Sequence, residues 1–365
     1  MLDATHSRLR QQRLLRHMSE ARLDAILVGW PQNVYYLSGF WTGWVHQSAF
    51  ILMADGRSWL ISANVPANDA AADNLVAYEA QWNSTQRSDQ PAVVAGTVAQ
   101  IMRSAAAYRV GIDASMVSSQ FGLRTDAALE SIDAILVQLR RVKDPDELML
   151  MKKAIACAIA MYRRAKEIIE PGIPELTVFG ELHAAAVQEA GEPLSALLGN
   201  DYQCNSRGGA ARKDHRAGEG ELYILDLGPC YRGYFSDNAR TFPVNRNPTD
   251  AQLQACEMIK DVHQMIHQMA KPGARCVEIY SAADAYYRDH GWNGLPHHLG
   301  HGVGLQPHEY PHLNPKWDDR LMEGEVFTAE PGAYSDELRA GIRIENQYLV
   351  TSSGVENLVD FPTEL

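Results

Sequence analysis

Four acidic residues and one histidine in the C-terminal half of this chain are of types, and at spacings, that can do chemistry. Asp226 closes the apolar run LYILD and Glu330 closes the apolar run VFTAE. A charge at the end of a buried strand is costly unless it is paired or holds a cation. A second carboxylate follows each: Asp237 in YFSDNARTF and Glu345 in IRIENQYLV. One such acid alone reads as an ion pair or a solvent-facing strand end. Four of them in two matching units would repel and raise one another's pKa without a cation between them. His301 lies between the two pairs in sequence, in Gly-His-Gly. The flanking glycines let the backbone approach a neighbour closely and leave the imidazole unshielded.

Together Asp226, Asp237, His301, Glu330 and Glu345 make a hard, oxygen-rich donor set. It suits two divalent ions about 3.5–4 Å apart that share carboxylates and a bridging water or hydroxide. Donor softness favours manganese and allows zinc, cobalt or iron. Such a hydroxide is a nucleophile. A metal and an imidazolium can stabilise an oxyanion, and an acid must protonate a departing amine. The stretch HHLGHGVGLQPHEYPH (297–312) holds five of the chain's 13 histidines. Only His301 is needed as a ligand; His298 and His312 are expected in surface or hydrogen-bonded structural roles.

The elements that must position these groups are legible as a duplicated pattern. Asp144, Pro145 and Glu147 form a helix start of the capping-box type before MLMKKAIACAIAMYRRAKEII, which stops at Pro171-Gly172. Thr249 with Gln252 starts a second long helix that ends at Pro272-Gly273. Each Pro-Gly is followed by another helix (175–191 and 276–291), and each helix pair leads into carboxylate-bearing strands. Residues 1–139 read as a smaller α/β domain: a helix carrying Leu9, Leu14, Leu15 and Met18, a strand at 24–29, a hairpin at 48–62 turning at Asp55-Gly56, a helix at 92–107 and a strand at 109–113. The boundary falls in LRRVKDPDEL, giving domains 1–139 and 140–365.

With 365 residues, two domains are expected. The net charge of -12 argues against nucleic acid as a main partner and leaves carboxylates for cations. The five cysteines are an odd number, widely spaced, without a CxxC pair, which points to a reducing, cytoplasmic setting. The arginines near the N-terminus fit an ordinary amphipathic helix better than a transit peptide, and no apolar run has membrane-span length.

LDLGPCYRGYFSDNARTF, HHLGHGVGLQPHE, TAEPGAY and GIRIEN, taken in order, resemble the creatinase/aminopeptidase P/prolidase family of pita-bread metallopeptidases. The resemblance covers residues 140–365. It implies an α+β fold: a C-terminal pita-bread domain with internal pseudo-two-fold duplication behind a smaller α/β domain, in which NVYYLSGF (33–40) resembles the family's early strand. By the same resemblance Asp226 chelates one metal, His301 and Glu330 hold the other, and Asp237 and Glu345 bridge. Glu330 also handles the proton of the attacking water. His297 and His308 line the substrate site and stabilise the tetrahedral intermediate or leaving group, and Arg343 fixes the geometry of the ligands. The implied reaction is hydrolysis of the bond between an N-terminal residue and proline, in an Xaa-Pro dipeptide or a longer peptide. An N-terminal aromatic from the Trp30, Trp41 and Trp44 cluster reaching a neighbour's site would make a homodimer.

The match departs in the segment CNSRGGAARKDHRAGEGELYILD (204–226). Family peptidases carry a histidine upstream of the first aspartate, and here His215 stands too close to Asp226. The segment also holds Arg207, Arg212, Lys213 and Arg216. It reads either as a solvated basic loop or as a substrate-carboxylate site using His215, Arg212 and Arg216. Tyr334 reads as packing or a substrate contact. Asn346 stands where the family often has aspartate. Two rivals remain on the same frame: a hydrolase or lyase acting on a non-peptide small molecule, and a non-catalytic binding domain.

Overall fold

A computed structural model describes residues 1–41, 45–64, 69–113, 127–195 and 201–365; Trp44 lies outside them. The chain divides into two compact units, Met1–Arg140 and Arg141–Leu365.

The first unit is built on a six-stranded sheet in which residues 74–78, 58–63, 49–53, 25–28, 109–112 and 128–131 lie side by side in that order. It begins with α1 (Ala4–Ala21), capped by Asp3, whose carboxylate accepts the His6 N–H at 2.8 Å. Leu14 and Met18 of this helix are buried. Strand β1 (Ala25–Val28), α2 (Pro31–Ser38) and the hairpin β2 (Ala49–Met53) and β3 (Ser58–Ala63) follow. After β4 (Asn74–Tyr78) come a two-stranded ribbon, β5 (Gln81–Trp82) and β6 (Thr85–Gln86), then α3 (Gln90–Ser104), β7 (Arg109–Ile112), β8 (Ala128–Ser131) and α4 (Asp133–Arg141). β1 pairs parallel with β7 and antiparallel with β2. The segment expected to be a strand at 33–40 is instead mostly helix α2. Pro31 at its first turn presets the helical φ, and Gly39 ends it in the left-handed region. Its aromatics read as a strand because Val34, Tyr35, Tyr36 and Leu37 are buried on every side.

The second unit runs twice through one plan. α5 (Pro145–Ile168) has the expected start, with the Asp144 N–H donating to Glu147 Oε2 at 2.8 Å. Its buried Leu150, Met151, Ala154, Ile155, Ala158, Met161 and Tyr162 recur at helical spacing. α6 (Glu175–Ala190) packs beside it. β9 (Leu222–Leu227) then pairs antiparallel with β12 (Asn238–Pro243), with β10 (Cys230–Tyr231) and β11 (Tyr234–Phe235) between them. In the second pass α7 (Asp250–Met269) starts at the Thr249–Gln252 capping box and is followed by α8 (Cys276–Asp289).

A five-stranded sheet follows, order β14-β13-β15-β18-β19, from β13 (Gly300–Gly302), β14 (Glu309–Leu313), β15 (Val326–Ala329), β18 (Asn346–Val350) and β19 (Val355–Asn357). The short pair β16 (Gly332–Ala333) and β17 (Ile342–Arg343) lies between β15 and β18 in sequence. Each pass has its own core, one around Tyr162, Leu182, Tyr223 and Leu225, the other around Ile259, Ile266, Phe327 and Tyr348. Fully burying an apolar side chain of this size contributes about 1.5–3 kcal/mol, so the strand ends are anchored by the helices behind them. The five cysteines are buried and free. No helix among the described residues is long and apolar enough to cross a membrane.

Candidate metal centre

The two passes deliver their carboxylates at equivalent points. Asp226 sits near the exit of β9 and Glu330 directly after β15. Asp237 immediately precedes β12 and Glu345 immediately precedes β18. The helices fix these points through the backbone. Tyr162 of α5 donates its hydroxyl to the Asn238 carbonyl, next to Asp237. His263 of α7 donates from Nε2 to the Ile344 carbonyl at 2.9 Å, next to Glu345, and its Nδ1 accepts from the Tyr348 hydroxyl at 2.9 Å. Burial pushes the His263 pKa down to about 4, so it holds this bridge as a neutral ring. The two passes are joined where the Glu345 N–H donates to the Ala239 carbonyl at 3.0 Å. Arg240, 2% exposed, donates Nη1 to the Ala239 and Glu345 carbonyls and Nη2 to Asn346 Oδ1 and the Phe361 carbonyl.

His301 enters from β13, opposite His312 of β14, at a register shift between His301 and Gly302. The glycines around it are required by contact: a Cβ on Gly300 would lie 2.0 Å from the Thr328 carbonyl, and one on Gly302 1.8 Å from that of Tyr310. His301 Nδ1 donates to the Gly302 carbonyl at 3.0 Å, which leaves the Nε2 lone pair pointed at Asp237 (3.7 Å) and Glu330 (3.6 Å). Ligand atoms of His301, Glu330 and Glu345 lie within 4.8 Å of one another, as do those of Asp237, His301 and His308.

The cluster is electrostatically incomplete by itself. Burial and mutual repulsion raise the pKa of Asp226, push Asp237 and Glu345 well above the carboxylate range, and bring Glu330 to about 8. Both oxygens of Glu345 are buried without a hydrogen-bond donor. Among the described residues the cation that contacts the cluster is Arg343, 3.1 Å from Asp226 and 3.9 Å from Glu330. Orphaned acceptors and mutually repelling carboxylates around an imidazole nitrogen fit divalent cations held by Asp226, Asp237, His301, Glu330 and Glu345.

Around this set the structure differs from the sequence reading at His298, while His312 has the hydrogen-bonded place expected of it. His298 is not set apart: its Nε2 lies 3.2 Å from Glu330 Oε1, and its ring stacks against that of His301 with centroids 5.5 Å apart. His312 is bound to Asp319 at 2.9 Å. His308 is exposed and stacks on His301, centroids 3.6 Å apart. His297 donates from Nδ1 to the His298 carbonyl at 2.8 Å, and its Nε2 pairs with the Tyr334 hydroxyl at 3.0 Å. Burial lowers the His297 pKa to about 4.

The basic loop does not reach the cluster through the residues singled out. The Arg212 guanidinium is taken by the buried Glu175 at 2.5 Å and the Cys204 carbonyl at 2.6 Å. Arg216 donates to the Gly172 carbonyl at 2.8 Å, and His215 stands 3.9 Å from both Glu175 and Glu221. Their positions give no support to substrate contact. Arg207, one of the basic residues named from sequence, and Asp201, which is not, are the loop residues tied to Arg343. Arg343 pairs with the Asp201 carboxylate and donates to the Arg207 carbonyl at 3.0 Å. Asp201 also bridges to Asp226 through paired backbone hydrogen bonds of 3.1 and 3.2 Å. No sequence signal marks Asp201, because its partners are distant in the chain.

Comparison with known proteins agrees with this architecture. Residues 149–352 match metallopeptidase family M24, and residues 10–142 match the creatinase/prolidase N-terminal domain. The chain belongs to metallopeptidase family M24. It is 27% identical to an Xaa-Pro dipeptidase of Pyrococcus furiosus over 98% of this chain and 99% of the relative. Two solved structures share the fold. An Xaa-Pro dipeptidase from Bacillus anthracis has a TM-score of 0.84 at 23% identity, covering 98% of this chain and 99% of its own. An X-Pro aminopeptidase from Thermotoga maritima has a TM-score of 0.79 at 23% identity, covering 97% and 98%.

Proposed function

We propose that the protein is a two-metal hydrolase that cleaves the bond between an N-terminal residue and a following proline. The observation that carries the metal reading is the convergence of four carboxylates and His301 Nε2 with the Glu345 oxygens lacking any donor. Proline specificity is supported by the named relatives, dipeptidases and an aminopeptidase alike. Asp226, Asp237, His301, Glu330 and Glu345 would hold the ions, with manganese favoured by the oxygen-rich set. Bound divalent ions would supply Lewis acidity and a water acidic enough to react near neutral pH.

The chain's own groups divide the remaining work. Glu330, facing His298 Nε2, takes and returns the proton at its carboxylate. Hydrogen bonding fixes the tautomer of His297: its Nδ1 proton is held by the His298 carbonyl, so Nε2 accepts from Tyr334. His297 and Tyr334 therefore form one proton-holding pair on the substrate side. His308, open to solvent and stacked on His301, is the imidazole placed to donate to the substrate carbonyl as charge builds on its oxygen. Arg343 keeps Asp226 and Glu330 oriented between itself and Asp201.

A second reading, action on a small non-peptide amide, draws on one observation: His215 pairs toward Glu175 and Glu221, so the basic segment supplies the cluster with no histidine. A panel of Xaa-Pro dipeptides, Xaa-Pro-Yaa tripeptides and Xaa-Ala controls, with and without manganese, tests both. Manganese-dependent cleavage confined to proline substrates supports the first reading. Metal content below about one ion per chain after reconstitution counts against it. Asp226→Asn and Glu330→Gln should abolish turnover in a folded protein.

A further inference from the structure

We infer that Cys204, His215 and Glu221 form a second metal site, separate from the carboxylate centre, for a thiophilic divalent cation of the zinc class. The inference does not depend on the reaction assigned above.

The three donors meet at the base of the loop 204–215. Cys204 is fully buried, and its backbone pairs with Tyr223 of β9. That pairing lies three residues before Asp226, about 10 Å along the strand. Glu221 stands one residue before β9. His215 is held from α6, where the Glu175 N–H donates to the His215 carbonyl at 3.2 Å. The Cys204 thiol donates to Glu221 Oε2 at 3.3 Å, and His215 Nε2 lies 3.9 Å from the same oxygen. Tetrahedral zinc, with bonds of about 2.0–2.3 Å, sets its donors about 3.3–3.8 Å apart. Both separations lie close to that span.

Glu221 is oriented before any ion arrives. Its Oε1 accepts from Asn205 Nδ2 at 3.0 Å, and its Oε2 accepts the Gly218 N–H at 2.7 Å. The glycine permits this approach, since a Cβ on Gly218 would lie 2.9 Å from Glu221 Cδ. One atom is left over. His215 Nε2 is buried with no hydrogen-bond partner among the described residues. An unmatched buried nitrogen is unfavourable, and a cation bound by its lone pair would remove the cost.

The charges point the same way. Glu175 and Glu221 bring two carboxylates, and Arg212, bound to Glu175 at 2.5 Å, brings one positive charge. Burial, and then the Glu221 charge, push the Cys204 pKa up, so the sulfur stands as a thiol. A divalent cation would displace the thiol proton to solvent, bind the thiolate and the neutral imidazole, and bring the group to neutrality. Sulfur and nitrogen donors favour zinc, whereas the oxygen-rich centre favours manganese. Water can reach the partly exposed His215 and complete the coordination. The cation would fasten the loop whose Arg207 carbonyl accepts from Arg343.

The test titrates reduced, metal-free, full-length protein with cobalt(II) as a spectroscopic substitute for zinc. The proteins are wild type, Cys204→Ser, His215→Ala and Asp226→Asn. A sulfur ligand gives a near-ultraviolet thiolate-to-cobalt charge-transfer band, which four carboxylates and one histidine cannot give. Wild type and Asp226→Asn should develop this band, and added zinc should abolish it. Cys204→Ser should lack it. His215→Ala should need at least about 10-fold more cobalt to reach half-saturation, the low end of what even outer partners of a metal site cost. Should Cys204→Ser fail to fold, His215→Ala, altered at a partly exposed position, carries the test. Absence of the band in wild type, its survival in Cys204→Ser, or an unchanged midpoint in His215→Ala overturns the proposal. Loss of the band in Asp226→Asn overturns it too, because the sulfur would then serve the carboxylate centre.

Discussion

The imidazole of His298 and the carboxylate of Glu330 face each other at 3.2 Å, Nε2 to Oε1. The contact puts a ring of lowered pKa, displaced mainly by burial, beside the acid assigned to proton transfer. A neutral His298 donating to Glu330 would hold that carboxylate in one rotamer. His298→Ala is expected to lower kcat by about 10- to 100-fold, at the low end of acid–base effects, with metal content unchanged. Steady-state kinetics with parallel metal analysis checks this. An unaltered kcat would return His298 to a purely structural role.

Glu345 offers a stability test. Its carboxylate is buried without donors among groups that repel it. In metal-free protein Glu345→Gln replaces a buried carboxyl whose ionised form its neighbours repel with a neutral amide, so its melting temperature should equal or exceed that of metal-free wild type. The gain in melting temperature on adding manganese should shrink or vanish. Thermal melts of both proteins with and without metal read this directly.

The pH dependence of the metal-free protein follows from Glu330. Its folded pKa, about 8, stands above the ordinary 4.5, and Asp237 and Glu345 shift the same way. The folded state then holds protons that the unfolded chain releases. This contribution is present below the ordinary carboxylate range and is lost as pH rises toward 8. Chelated protein should therefore melt at progressively lower temperature from about pH 5 to pH 8, the window set by those two values. Manganese, which replaces the protons, should raise the melting temperature most at the alkaline end. A flat profile for the chelated protein would contradict the burial of these groups.

His263 is expected to matter for the fold and only indirectly for chemistry. Replacing it with Ala removes the hydrogen bonds to Ile344 and Tyr348 and should cost about 2–4 kcal/mol from lost packing and two buried polar groups left unmatched. Urea denaturation gives the number. Because its folded pKa is lowered to about 4, wild type should lose this contribution as pH falls from about 6.5 toward 4, and the variant should not.

Arg240 gives a larger effect by the same reasoning. Its guanidinium donates to the Ala239, Glu345, Phe361 and Pro362 carbonyls and to Asn346. Arg240→Met leaves the Glu345 carbonyl and Asn346 Oδ1 buried without this donor, while the Ala239 carbonyl keeps the Glu345 N–H, and about 3–5 kcal/mol of destabilisation is expected. The neutral Asn346 suffices as one acceptor, so its difference from the family's usual aspartate leaves the clamp intact. Equilibrium unfolding and metal titration of Arg240→Met should fail together.

What could be read from the sequence was local. The capping residues Asp144 and Thr249, the apolar strands ending in Asp226 and Glu330, and the glycines around His301 each carry their signal within a few residues, and the structure shows these elements. Segment 33–40 misled because a short helix buried on all sides shows no amphipathic period; Pro31 was the available clue. The basic loop stays open between two readings in the sequence for a different reason. Four basic residues in one segment look interchangeable, and only the distant Glu175 decides that Arg212 is held. His298 is hard to tell from its neighbours in sequence because adjacent histidines are indistinguishable until the backbone entering β13 sets their directions.

The hydrogen bond from the Glu345 amide to the Ala239 carbonyl joins segments that are remote along the chain, and the ligand carboxylates flank that seam from both sides. Ions held there would act as a removable staple between the two halves of the domain. Because the unfolded chain does not assemble this donor set, the ions would stabilise the folded state by mass action. Withdrawing metal should then loosen the two hairpins together, so metal supply would regulate the lifetime of this protein as well as its activity.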